Sequence, residues 1–74
     1  MAVKLSEKTK DYMSKKLKAL REEKNLSQES VAESVGISVT HYAGIERGEE
    51  NPTVAVIEAL CDLFKIRSSD ILHF

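Results

Sequence analysis

Cysteine is almost missing from these 74 residues, with Cys61 standing alone. A single thiol forms no internal disulfide, and the two histidines, His41 and His73, lie too far apart to complete a ligand-spaced metal set. A reducing, cytoplasmic setting follows as the expectation, with no metal and no cofactor. Long apolar runs are lacking too. Nothing approaches the roughly 20 residues of a membrane span, and residues 1–6 have neither the apolar stretch nor the small-residue cleavage pattern of a secretory signal. No membrane partner is expected. Neither charge sign dominates: 11 Lys and Arg face 12 Asp and Glu, a formal charge of -1, so overall charge does not announce nucleic acid. The one proline and three glycines fall between segments of helical periodicity, and nothing alternates with period two. Strands are thereby excluded, and the fold class is all-α.

Length sets a further bound. Residues 1–74 suit one small domain, the first few positions being expected to lack order, with no room for a second catalytic or ligand-sensing unit. No small-molecule effector is expected. Paired carboxylates, Ser-His or Cys-His arrangements and a phosphate-cradling glycine loop are all lacking, which argues against an enzyme. Apolar residues make up 42% of the chain, enough for a folded core. A core of this size is marginal alone, and dimerisation is a natural source of added stability.

What is present begins with an asymmetry of charge. Residues 1–24 hold eight basic and four acidic side chains, whereas residues 25–74 hold three and eight. An electrostatic footprint needs only one face, so this distribution matters more than the total. The spacing predicts a first helix from near Ser6 or Thr9 to about Lys24, with Met13, Leu17 and Leu20 as its buried stripe. Ser27 is placed to cap a second helix, stapled by Leu26 and Val31 and closed at Gly36 in a left-handed conformation. Ile37, Ser38 and Tyr42 repeat the device for a third helix that fades at Gly48. Two short capped helices joined by a glycine-containing turn are the result. After Glu49-Glu50-Asn51-Pro52, Thr53 caps a fourth helix with Ile57, Leu60, Cys61 and Phe64 on its stripe, widened by Val56 and Leu63. Cys61 on that stripe reads as a small buried hydrophobe. A last turn at Ser68-Ser69-Asp70-Ile71-Leu72 leads to Phe74.

Arg21, Leu26-Ser27-Gln28-Glu29, Val31-Ala32, Val35-Gly36-Ile37-Ser38 and Gly44-Ile45-Glu46-Arg47-Gly48, followed by Asn51-Pro52, together resemble the lambda-repressor and Cro-like (XRE-type) helix-turn-helix family. The likeness covers nearly all of residues 12–72. Its Ile-Glu-Arg-Gly ending is similar to that of small stand-alone regulators such as restriction-modification controller proteins and phage-type repressors. The resemblance implies a compact five-helix domain whose second and third helices form the helix-turn-helix. It also implies a largely buried salt bridge between Arg21 and Glu46; stranding one partner would cost roughly 3–5 kcal/mol where burial is deep.

The pattern has its own physical logic. A helix about 10–12 Å wide fits the major groove when a second helix crosses behind it and a tight turn fixes their angle. The amides and dipole at the start of the second helix attract a phosphate, and Gln28 can add a neutral donor there, as the family's Gln does; an ordinary first-turn surface residue is the competing reading. The third helix becomes the recognition helix, presenting Ser38, Val39, Thr40, His41, Ala43, Gly44 and Arg47. Thr40 and Arg47 are the strongest candidates for base or phosphate contacts. Val39 and Gly44 depart from relatives that carry longer polar side chains there, so direct readout looks sparse, and DNA shape is expected to supply part of the specificity. His41 can make binding pH-sensitive or sit neutral at the groove edge. Asn51 and Thr53 are further neutral donors towards phosphate. The lysine face of the first helix is either solvated or laid along the DNA backbone. Glu49, Glu50, Glu58, Asp62 and Asp70 are expected to face away from DNA.

These readings converge on a sequence-specific, double-stranded DNA-binding transcriptional regulator. It would act as a homodimer on pseudo-palindromic operators, its own promoter among the candidates. Val56, Leu63, Ile71, Leu72 and Phe74 exceed what one small core needs and are the expected dimer surface. The alternative is an antitoxin-like protein-interaction module, favoured by the acidic balance outside the first helix.

Overall fold

In the computed structural model, which describes residues 4–72, Ser6 starts the first helix: its Oγ accepts the Thr9 amide at 3.1 Å. Helix α1 then runs Glu7–Glu23 and buries Thr9, Met13, Ser14 and Leu17. Helices α2 (Gln28–Val35), α3 (Val39–Glu46) and α4 (Val54–Phe64) begin in the same way on Ser27, Ser38 and Thr53, each side-chain oxygen accepting the amide three residues on. The caps expected at Ser27, Ser38 and Thr53 are therefore in use, whereas the last turn, expected to be capped at its serines, starts on Arg67.

The four helices also share one ending. After α1, Asn25 adopts φ 56°, its amide donates to the Glu22 carbonyl and the Leu26 amide donates to the Arg21 carbonyl, a Schellman pattern. Gly36, Gly48 and Lys65 hold the corresponding left-handed position after α2, α3 and α4, with equivalent bonds from Ile37 to Ala32, Glu49 to Gly44 and Ile66 to Cys61. Sequence reasoning saw the glycine ends. It had no marker for Asn25 or Lys65.

Met13, Leu17, Val31, Ala32, Tyr42, Ile45, Val56, Ile57, Leu60, Phe64 and Ile71 form one core. Within it α3 packs against both α1 and α2, while α4 packs on α2. The expected fifth helix is instead a single 3-10 turn, Ser68–Asp70, resting on α4. Three residues are all that fit there: the Asp70 carboxylate accepts the Arg67 amide at 2.9 Å, and the side chain of Ile71 is already inside the core. The described architecture is thus four α-helices and a 3-10 turn, without strands among the described residues.

Two dimer-surface expectations change as a consequence. Val56 and Ile71 are core residues of the single chain, so neither is surplus. Leu63 and Leu72 are half-buried, and Phe74 lies outside the described residues. The apolar side chain that sequence reasoning overlooked is Val54, 82% exposed in the first turn of α4. No helix among the described residues is long and apolar enough to cross a membrane.

Candidate nucleic-acid interface

Tyr42 and Ile45 anchor the inner side of α3 in the core. The 100° step per residue of a helix then turns Val39, Thr40, Ala43 and Arg47 outwards along one line. Val39, Thr40 and Arg47 are exposed and Ala43 is half-buried. Ser38, also exposed, spends its Oγ on the His41 amide at 3.0 Å. Two short helices in this relation, the second presenting an open face, have the shape that enters a major groove.

Glu46 fixes the far end of α3. Its carboxylate accepts Arg21 Nε at 2.7 Å and Arg21 Nη2 at 3.2 Å, while Arg21 Nη1 donates to the Leu26 carbonyl at 2.9 Å. The side chains are 15% exposed for Arg21 and 3% for Glu46, so removing Arg21 would strand a buried carboxylate at a cost of about 3–5 kcal/mol. Burial alone would raise the Glu46 carboxyl. The hydrogen bonds from Arg21 and Gln28 and the Arg21 charge outweigh it and hold the group below the ordinary carboxylate range. The Tyr42 hydroxyl is buried against this pair without a well-formed hydrogen bond, and burial first, then the neighbouring Glu46, pushes its ionisation far up.

Gln28 stands differently from the expectation. Its Nε2 donates to Glu46 Oε1 at 3.1 Å, making it a third member of the buried pair, with one N–H left over. Asn51 also has a structural bond, its Oδ1 accepting the Leu5 amide at 3.1 Å, and Thr53 Oγ1 accepts the Val56 amide at 3.2 Å. The α1 lysines are distributed unequally around their helix. Arg21 binds α3, and Ser14 faces Gly48 just after it, whereas Lys8, Tyr12, Lys15 and Ala19 point about 140° away around the axis.

Two acidic residues overturn an expectation. Glu49 and Glu50 do not turn away from α3: Glu49 Oε1 accepts Arg47 Nε at 3.0 Å, and Glu50 Oε1 lies 3.3 Å from His41 Nδ1. Gly44 is correspondingly buried, covered by the Glu50 side chain. The Schellman turn at Gly48 reverses the chain and brings residues 49 and 50 back across the end of α3. That consequence was implicit in the glycine but not in any periodicity.

Comparison with known proteins follows the same lines. Residues 17–71 match the Helix-turn-helix family. The immunity repressor of Bacillus phage phi105 is 35% identical over 57 residues, 77% of this chain and 40% of the repressor. YazB of Bacillus subtilis, described as an uncharacterised HTH-type transcriptional regulator, is 33% identical over 57 residues, 77% of this chain and 83% of YazB. Among solved structures, the restriction-modification controller protein C.AhdI from Aeromonas hydrophila superposes with a TM-score of 0.78 at 28% identity, covering 85% of this chain and 96% of that protein.

Proposed function

This chain is a member of the helix-turn-helix family, and from that premise we propose that it regulates transcription by binding specific double-stranded DNA as a homodimer, without enzymatic activity of its own. The observation that carries the reading is the open outer line of α3, Val39, Thr40, Ala43 and Arg47, on a helix held from behind by Tyr42, Ile45 and the Arg21–Glu46 pair. A recognition element must be both exposed and rigid, and this one is. Relatives described as a phage immunity repressor and as transcriptional regulators support the same class.

Arg47 is the charged reader. Its bond to Glu49 is solvent-exposed, worth about 0–1 kcal/mol, and yields readily to a guanine edge or a phosphate. Thr40 reaches a base edge, and Val39 meets thymine methyls. The α2 amides, with the second N–H of Gln28, hold a phosphate, joined by the free amide groups of Asn51 and by Thr53. Two copies related by a two-fold axis would set their α3 helices about 34–36 Å apart, the spacing of a pseudo-palindrome. Val54 and Leu72, which line one groove with Ile57 and Cys61, are the apolar side chains available for that contact, while Leu63 lies about 180° around α4 from Val54. Autoregulation suits a domain whose working variable is its own concentration.

A direct test is the binding of duplexes from the chain's own upstream region at two salt concentrations. Neutralising about 6–10 phosphates would lower affinity about 10³–10⁵-fold between about 50 and 200 mM salt. Cations are scarce around α3 and much of the phosphate contact is through neutral donors, so the fall should lie at the shallow end. No preference among duplexes and no salt dependence would instead favour the protein-interaction alternative, to which Glu49 and Glu50 on the α3 face lend their acidity.

A further inference from the structure

Gly44 sits inside α3 with no left-handed backbone angle to explain it, since the positive-φ glycines are Gly36 and Gly48. A glycine inside a helix is about 1 kcal/mol less favourable than alanine. What the missing side chain provides is space. A Cβ at position 44 would lie 2.4 Å from Glu50 Cγ, 3.4 Å from Glu50 Cβ and 3.5 Å from Glu50 Cδ, so the carbon chain of Glu50 occupies the place of an alanine methyl. The amides of Glu49 and Glu50 both donate to the Gly44 carbonyl, at 2.9 and 3.2 Å, and hold the segment down on the helix. From that seat the Glu50 carboxylate reaches His41 Nδ1 at 3.3 Å, three residues back along the same flank of α3.

We propose that Glu50 is a positioning residue for base recognition: seated over Gly44, it fixes the His41 ring with Nδ1–H turned inwards and Nε2 left as an acceptor for an amino group in the major groove. An ionised carboxylate only accepts, so the contact requires a proton on Nδ1, and in the neutral ring, the state the proposal concerns, that proton leaves Nε2 bare. Nε2 then carries the lone pair. Such a nitrogen cannot bond a phosphate, which has no proton to give, nor guanine N7 or O6, which are themselves acceptors. It suits adenine N6 or cytosine N4, the amino donors of the major groove. His41 stands about 100° around α3 from Thr40, on the flank of Gly44 and not on the Val39–Ala43–Arg47 line; with its side chain 32% exposed it can meet only a base at the edge of the groove contact, and Glu50 at 50% is open enough to be displaced without unfolding the core.

The proposal rests on the DNA-binding reading, and two measurements separate their failures. The first is the nitrogen-15 spectrum of the His41 ring in the DNA-free protein at about pH 8.5, above the range in which histidine ordinarily protonates. The unmodified protein should show Nδ1–H, because a carboxylate can only accept. Glu50→Ala and Gly44→Ala, the latter pushing Glu50 off its seat while favouring the helix, should move the proton toward Nε2. The second is selection from a randomised duplex. Glu50→Ala and Gly44→Ala should lose about fivefold preference for adenine or cytosine at one half-site position, the worth of one hydrogen bond. In a His41→Ala background, Glu50→Ala should then change nothing further. A proton on Nε2 in the unmodified protein, or an unaltered base preference in folded Glu50→Ala, overturns the proposal and leaves DNA binding standing. Absence of any sequence selection by the unmodified protein defeats the DNA-binding reading and this one with it.

Discussion

Arg47 and Glu46 are neighbours in sequence and opposite in physical situation. Arg47 is exposed and held by one weak surface pair, so its loss should leave the fold intact and weaken operator binding by about 1–3 kcal/mol, measurable as a shift in the binding isotherm with an unchanged circular dichroism spectrum. Glu46 is buried, and its contribution belongs to stability. Its folded-state pKa lies below the unfolded value, so its stabilisation is complete above the ordinary glutamate range near about 4.3 and disappears as pH falls through the folded value. Thermal melts taken from neutral to acid pH should show that loss. Glu46→Gln should be less stable at neutral pH and have a flatter acid limb, and an unchanged limb would remove Glu46 from the acid response. The resemblance placed Arg21 opposite Glu46 correctly, because a charged pair at fixed separation is a feature of sequence. Gln28 as a third member was not legible, because its rotamer is decided by where α3 ends.

Among the elements, helix starts were more legible than helix ends. Ser27, Ser38 and Thr53 announce themselves because a capping hydroxyl is a property of one residue. The end of α4 at Lys65 was not announced, because an L-residue at φ 55° is chosen by the packing around it against its own preference. Lys65→Gly should therefore stabilise the protein by about 0.5–1 kcal/mol, the relief of left-handed strain exceeding the added entropy of the unfolded chain. Chemical denaturation would show a higher midpoint at unchanged slope. The same reasoning explains the misreading of the C-terminal surface. Val54 and Val56 are two residues apart and so about 200° apart around α4, and nothing in their chemistry tells which one faces inwards. The two capped helices of the helix-turn-helix were readable from sequence, but the carboxylates laid back across α3 were not, since they depend on how the chain returns after Gly48.

At the scale of the whole molecule, the lysines of α1 divide between two sides: Lys18 lies within about 60° of Arg21 and Ser14 around the axis, whereas Lys8 and Lys15 lie about 140° away. The Lys8 and Lys15 face of α1 looks away from the side that holds α3, which favours solvation over contact with the DNA backbone. Changing both to Gln should leave the slope of log affinity against log salt unaltered, and a slope reduced by about 4, from the four lysines of a dimer, would place that face on phosphate. Dimerisation is tested separately at Val54. Val54→Asp puts a carboxylate in the first turn of α4, where the helix dipole tolerates it, so the monomer should fold normally. Sedimentation at micromolar concentration should show a dimer for the unmodified chain and a shift toward monomer for the variant. A monomer in both, with operator binding intact, would require the two half-sites to be read independently.

The bond from the Leu5 amide to Asn51 Oδ1 spans 46 residues of chain. In kinetic terms it is a latch: helices that carry their own start and stop signals form from local contacts, whereas this bond can close only after α1, α3 and the loop before α4 are assembled. It should therefore open first, by a small fluctuation independent of global unfolding. Native-state hydrogen exchange would show the Leu5 amide exchanging far faster than those of Leu17 or Leu60, and Asn51→Ala would speed it further without altering the slowest amides. If Asn51 also takes up a phosphate, operator binding should slow exchange at Leu5, so that the order of the chain's beginning reports occupancy at the far side of the recognition helix.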